Sequence, residues 1–175
     1  MNIDIIIFNT LNNLAENWFL VDLFFYFTAK ILPYFLLLPF FYLFFKDYKK
    51  NLFLVGEALF AAFFARYVVC ELIRYIVPRE RPFNILEESK LLLPLTENAS
   101  LPSGHVSFLF ALATVAFFYN KKLGGVLLGL SFLVGISRVY AGVHWPSDIL
   151  AGVLVGILCG FFIYHISLFL KKRWL

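Results

Sequence analysis

The chain has 175 residues, of which 62% are hydrophobic, 20% aromatic and only 15% charged. Soluble domains carry about a quarter charged residues, so this composition points away from a soluble protein and leaves no room for a soluble domain. The formal net charge is +4, but the basic residues are spread over short turns and the C-terminal end without an aromatic-interleaved patch, which argues against nucleic acid as a partner.

Residues 3 to 15 alternate apolar runs with Asn and Asp and predict an amphipathic helix lying at the membrane interface. The start, MNIDIIIF, lacks a basic n-region, so no cleavable signal peptide is expected. Residues 18 to 45 predict a first span, bent where Asp22, Lys30 and Pro33 interrupt it. After a turn at KDYKKN (Lys46 to Asn51), residues 52 to 77 predict a second span that Pro78 and Pro82 stop. Residues 79 to 101 are the longest polar stretch, holding Arg79, Glu80, Arg81, Glu87, Glu88, Lys90 and Glu97 and the sequon Asn98-Ala99-Ser100. Residues 103 to 119, 123 to 140 and 148 to 170 predict the third, fourth and fifth spans, separated by a turn at residues 120 to 122 and a loop at 141 to 147.

The predicted fold is therefore all-α: a polytopic membrane helix bundle of five transmembrane helices plus an N-terminal interfacial helix, or six spans if that region inserts, forming one domain over residues 1–175. The apolar runs do not alternate, as the strands of a membrane β-barrel would. Gly152, Gly156 and Gly160 fall on one face of the last span and predict close helix packing. Cys70 and Cys159 lie in apolar runs and read as packing residues, not a disulfide.

Following the spans places Arg74, Arg81, Ser103, His105, Arg138, His144 and Asp148 at one membrane face. The opposite face holds Lys46, Lys49, Lys50, Lys121, Lys122, Lys171, Lys172 and Arg173 against Asp47, and is cytoplasmic by the positive-inside rule. The polar cluster then faces outward, and plasma (inner) membrane with an extracytoplasmic site is the expected location.

A charge within a span is costly unless paired or hydrated, so three Arg at one depth suggest a polyanionic ligand. Arg74 and Arg81, seven residues apart, could share a helix face, and Arg138 approaches from another helix. Guanidinium matches phosphate oxygens bidentately. Ser103 and Gly104 sit at a helix start, where free backbone N–H groups favour an anion. Of two imidazoles, one can attack phosphorus while the other protonates the leaving oxygen. Asp148, four residues after His144, can fix its tautomer. One Asp, no Cys and several cations do not make a metal site, so no cofactor is expected. His165 reads as packing, Arg66 as pairing with Glu71 or Glu57, and Lys30 and Asp22 as candidate rim residues.

RYIVPRERP (Arg74 to Pro82), PSGH (Pro102 to His105) and SRVYAGVHWPSD (Ser137 to Asp148) together resemble the three-part signature of the type-2 phosphatidic acid phosphatase superfamily, Lys-x6-Arg-Pro, Pro-Ser-Gly-His and Ser-Arg-x5-His-x3-Asp. The likeness covers residues 74 to 148, with Arg74 standing where the family usually has Lys. It implies that His144 is a nucleophile forming a phosphohistidine, Asp148 its orienting partner and His105 the general acid. It also implies that Arg74, Arg81, Arg138, Ser103 and Gly104 cradle the phosphoryl oxygens, without a metal. The family's soluble vanadium-dependent haloperoxidases are set aside by the apolar composition.

A site at the membrane surface with no soluble domain above it suits a lipid phosphate whose tail stays in the bilayer. The short chain resembles the undecaprenyl-diphosphate phosphatases of that family, with phosphatidic acid or phosphatidylglycerophosphate as the alternative substrate. A non-enzymatic phosphate-lipid binding or transport protein would explain the Arg residues but not two His and an Asp at this spacing. Phosphotransfer to another acceptor is a third reading. The sequence carries no signal of oligomeric state.

Overall fold

The structure, a computed structural model, describes residues 3–94 and 99–174, with Trp174 in its backbone only. Glu97 and Asn98 of the sequon lie outside the described residues. Helix α1 (Ile3–Asn12) buries Asp4, Phe8 and Asn12, one every four residues, and turns Ile3 and Ile7 outward. Its ten residues cover roughly 15 Å, about half a bilayer core. The chain then runs through α2 (Phe19–Lys30), α3 (Leu32–Phe35) and α4 (Leu38–Lys46). Pro33 and Pro39 sit in the first turns of α3 and α4, where a missing N–H does no harm, and the α2–α4 path bends by 48°. The bend expected near Pro33 is present.

Asp47 caps α5 (Tyr48–Phe64) by accepting the Lys50 N–H at 3.2 Å. A π turn (Ala65–Val69), in which the Cys70 N–H reaches back to Ala65 O, joins α5 to α6 (Cys70–Ile76) in one 29-residue rod. α6 stops two residues before Pro78, and α7 (Pro82–Ile85) is a single turn. α8 (Gly104–Tyr119) follows the polar stretch. Asn120 caps α9 (Lys121–Tyr140), accepting from Lys122 and Leu123 at 3.1 Å, and α10 (Pro146–Trp174) closes the chain. No strand occurs among the described residues.

Three of these helices are long and apolar enough to cross a bilayer, and the bent α2–α4 path makes a fourth. The predicted third span is α8, a 16-residue helix roughly 24 Å long that fills the centre of the bundle. Eleven of its residues are buried, against α5, α9 and α10. Its contact with α10 is close because the three glycines fall on it. A Cβ at Gly152, Gly156 or Gly160 would come within 3.0 Å of the carbonyl oxygens of Ser103, Ser107 and Ala111 respectively. Helices in lipid gain little from hydrophobic exclusion, so this backbone-to-backbone proximity is what holds them.

The surface is apolar and the interior polar at one end. Phe19, Phe45, Phe60, Leu154 and Phe162 are exposed, whereas Arg81, His144 and Asp148 are buried. That inversion belongs to an integral membrane protein. At the lysine-bearing end, buried Glu57 accepts from Lys171 at 2.7 Å and from Tyr119 at 3.0 Å. Cys70 and Cys159 are free and buried, and His165 packs against Phe161, its ring 4.3 Å away.

Candidate active site

The helix start at Pro146 fixes Asp148. It lies in the first turn of α10 and accepts the backbone N–H of Trp145 at 2.8 Å, satisfying one donor that every helix start leaves open. Three further bonds hold it. Ser100 Oγ donates to Oδ2 at 2.7 Å, Arg79 Nη1 to Oδ1 at 2.8 Å, and the Ser103 N–H to the backbone oxygen at 3.1 Å. Arg79 in turn donates to Asp4 Oδ2 at 2.6 Å, and Asp4 Oδ1 accepts the Ser147 N–H at 2.9 Å. Helix α1 therefore clamps the start of α10.

His144 occupies the tight loop before α10. Gly142 there has φ +80°, and a Cβ on it would run into Lys90 O. His144 is 1% exposed, with Nδ1 3.4 Å from Asp148 Oδ2 and Nε2 3.5 Å from Arg81 Nη1. Asp148 Oδ2 is occupied by Ser100 and Trp145, so Nδ1 lies within ion-pair reach but makes no hydrogen bond among the described residues. Burial first, then the charges of Arg138, Arg81 and Arg74, hold this imidazole well below its ordinary value of 6.5. A neutral ring with Nδ1 toward a carboxylate presents Nε2 toward the guanidiniums.

The cationic wall comes from three elements. Arg81, 0% exposed, is anchored to Val143 O at 2.6 Å and Ala99 O at 3.2 Å. Arg74 donates to Glu71 at 2.9 Å and Pro102 O at 3.2 Å, and Arg138 reaches Ala29 O at 3.4 Å. Arg74 and Arg81 do not share a helix face, contrary to their spacing. α6 ends at Ile76, and Arg81 stands in extended backbone before α7, because the prolines at 78 and 82 end the helix. Ser103 is fully buried beside these cations, and its Oγ has no hydrogen-bond partner among the described residues. A buried hydroxyl with nothing to bond is what an anion pocket holds in reserve.

His105 is the second residue of α8, within Coulombic reach of Arg138 and His144. Next to it, a Cβ on Gly104 would lie within 3.0 Å of the Arg66 side chain, so Arg66 rests on the helix start. Of the residues the sequence singled out for the site, all eight gather at this one end. Of the candidate rim residues, Asp22 accepts from Tyr140 Oη at 2.7 Å and Lys30 donates to Tyr26 at 2.6 Å. The sequence reading missed Arg79, Ser100 and Asp4, and gave Arg66 no role beyond pairing with Glu71 or Glu57, of which the Glu71 pair is present at 2.5 Å. Among the described residues no three His, Cys, Asp or Glu side chains gather as metal ligands.

Residues 55–172 match the PAP2 superfamily, a stretch that spans the site from Arg66 to Asp148. The chain belongs to that superfamily. Among its relatives, the bacitracin transport permease protein BcrC of Bacillus licheniformis is 32% identical over 94% of this chain and 79% of its own length. The lipid A 4'-phosphatase of Porphyromonas gingivalis is 30% identical over 97% and 75%. The undecaprenyl-diphosphatase BcrC of Bacillus subtilis is 33% identical over 59% and 53%. Among solved structures, Aquifex aeolicus LpxE superposes with a TM-score of 0.77 at 30% identity, covering 93% of this chain and 95% of that one. This PAP2 chain is thus a hydrolase of the lipid-phosphatase kind, embedded in a membrane.

Proposed function

We propose that this protein hydrolyses undecaprenyl diphosphate to undecaprenyl phosphate, without a metal, through a phosphohistidine on His144. It would act as a single domain of five spans, α8 among them, in the plasma membrane with the site on the extracytoplasmic face. The observation that carries the chemistry is His144 itself: a buried imidazole whose Nδ1 lies 3.4 Å from Asp148 and whose Nε2 lies 3.5 Å from Arg81. The shared catalytic wall suits any phosphate, so the choice of lipid rests on the relatives whose names contain BcrC and undecaprenyl-diphosphatase.

In the first step Nε2 bonds to the terminal phosphorus while the phosphorus–oxygen bond to the lipid breaks. His105 gives its proton to the departing oxygen. Asp148 stabilises the ring as positive charge develops on it, as the aspartate of a serine-protease triad does. Arg74, Arg81, Arg138, the Ser103 hydroxyl and the Gly104 N–H meet the three equatorial oxygens. Water then attacks phosphorus, His105 takes its proton, the nitrogen–phosphorus bond breaks and inorganic phosphate leaves. A divalent ion would meet three guanidiniums here, which is why none is invoked.

The relative named lipid A 4'-phosphatase covers more of this chain than the undecaprenyl-diphosphatase does, and phosphatidic acid or phosphatidylglycerophosphate stays a second reading on the same residues. The experiment is phosphate release by the purified protein from a panel of these lipids in mixed micelles, beside His144→Ala. Preference for undecaprenyl diphosphate supports the first reading, and preference for a phosphomonoester replaces it. A His144→Ala protein that releases phosphate at the unsubstituted rate would return the chain to the binding or transport class that one relative's name suggests.

A further inference from the structure

A cavity of about 350 Å³ lies beside His105. At its inner end are Gly104, His105 and Arg66, and its walls run outward through Leu37, Phe63 and Phe108 to Tyr34 and Tyr67. The last two are well exposed, at 68% and 61%, on the apolar belt. A tail can therefore lie in the groove while its phosphate end meets His105. Arg66 is the charged side chain on this path, its own side chain only 14% exposed.

The π turn is what puts it there. Arg66 and Arg74 are eight residues apart, about 80° of rotation in a regular helix; a π turn absorbs roughly one residue and brings them onto one face. Both then bind one carboxylate, Glu71, at 2.5 and 2.9 Å. Glu71 thereby links the phosphate wall to the mouth of the tail groove. Glu71 is half exposed, so this pair is partly solvated.

Resting on the diphosphate reading above, we propose that Arg66 recognises the second phosphate, the one that stays with the lipid, and makes the site selective for lipid diphosphates over lipid monophosphates. When Nε2 of His144 bonds to the terminal phosphorus, the bridging P–O bond breaks and its electron pair stays on the bridging oxygen. That oxygen becomes a non-bridging oxygen of the lipid's remaining phosphate and takes the proton from His105, so the leaving phosphate departs as a monoanion, still carrying the negative charge it had in the diphosphate. Arg66, beside His105, holds that anion. From a lipid monophosphate the leaving group is a neutral alcohol once protonated, and Arg66 has nothing to hold.

Farnesyl diphosphate and farnesyl monophosphate share a tail and differ by this one phosphate, so they isolate the effect. The full chain, with Arg66→Gln and Arg66→Lys, is assayed on both for kcat/KM. Arg66→Gln lowers kcat/KM on the diphosphate about ten- to a hundredfold and on the monophosphate less than about threefold, and Arg66→Lys recovers part of the loss. Activity on the monophosphate reports that each variant is folded. An equal fall on both substrates, or no fall on the diphosphate, overturns the role of Arg66 and leaves the diphosphate reading standing. An unsubstituted protein that cleaves the monophosphate but not the diphosphate overturns both.

Discussion

Asp4 and Asp148, at the first turns of the first and last helices, grip the two ends of one guanidinium: Arg79 Nη2 is 2.6 Å from Asp4 and Nη1 is 2.8 Å from Asp148. The carboxylate that faces His144 is thereby tied to the N-terminal helix. Asp4→Asn weakens the far end of this chain without touching substrate. The expected result is a fall in kcat of about tenfold with KM changed little, read from steady-state kinetics. A loss confined to KM would show that α1 acts on binding instead.

His105 as general acid matters most when the leaving group is a poor one. His105→Ala should slow hydrolysis of an alkyl phosphate by about 10²- to 10⁴-fold. On an aryl phosphate such as p-nitrophenyl phosphate, whose leaving group needs no proton, the loss should be much smaller. Equal losses on the two substrates would remove the assignment.

The lowered basicity of His144 sets a pH dependence. The nucleophile must be neutral, and in the free protein it stays neutral down through its ordinary value of 6.5, so the acid limb of kcat/KM should lie below pH 6.5. Stability moves with the same sign. Below pH 6.5 the unfolded chain takes up a proton that the folded one refuses, so stability present above that value is lost as pH falls toward the folded one. Replacing Arg138 with Met removes the largest charge acting on the ring and should move the acid limb upward.

Arg74→Lys restores the residue usual in the family. An ammonium keeps the charge but cannot bond Glu71 and the Pro102 carbonyl in the same fork, bonds that span 2.9 and 3.2 Å here. Activity should fall by less than about tenfold, and Arg74→Ala by far more. Comparing kcat/KM for the three proteins checks this.

EDTA should leave turnover unchanged, and vanadate, which adopts the five-coordinate geometry of the transition state, should inhibit it. Activity lost in EDTA and restored by a divalent ion would contradict the cation-lined site.

The three motifs were legible because each is local: residues a few positions apart that a helix start or tight loop must bring together. The glycine face and the two free cysteines could be read the same way. What escaped depends on distance along the chain. Asp4 and Asp148 are 144 positions apart, and nothing near either residue marks them as partners. Arg66 escaped because a π turn shifts the register on which helix faces are counted. The spacing of Arg74 and Arg81 misled because the helix ends at Ile76 and cannot carry Arg81 on the turns that hold Arg74.

The groove from His105 reaches Tyr34 and Tyr67, whose rings are exposed on the apolar surface of a membrane-embedded protein. Substrate arriving by that path diffuses in two dimensions, so the quantity that governs saturation is its mole fraction in the bilayer or micelle. Diluting the substrate with inert detergent at constant bulk concentration should slow turnover as if substrate had been withdrawn.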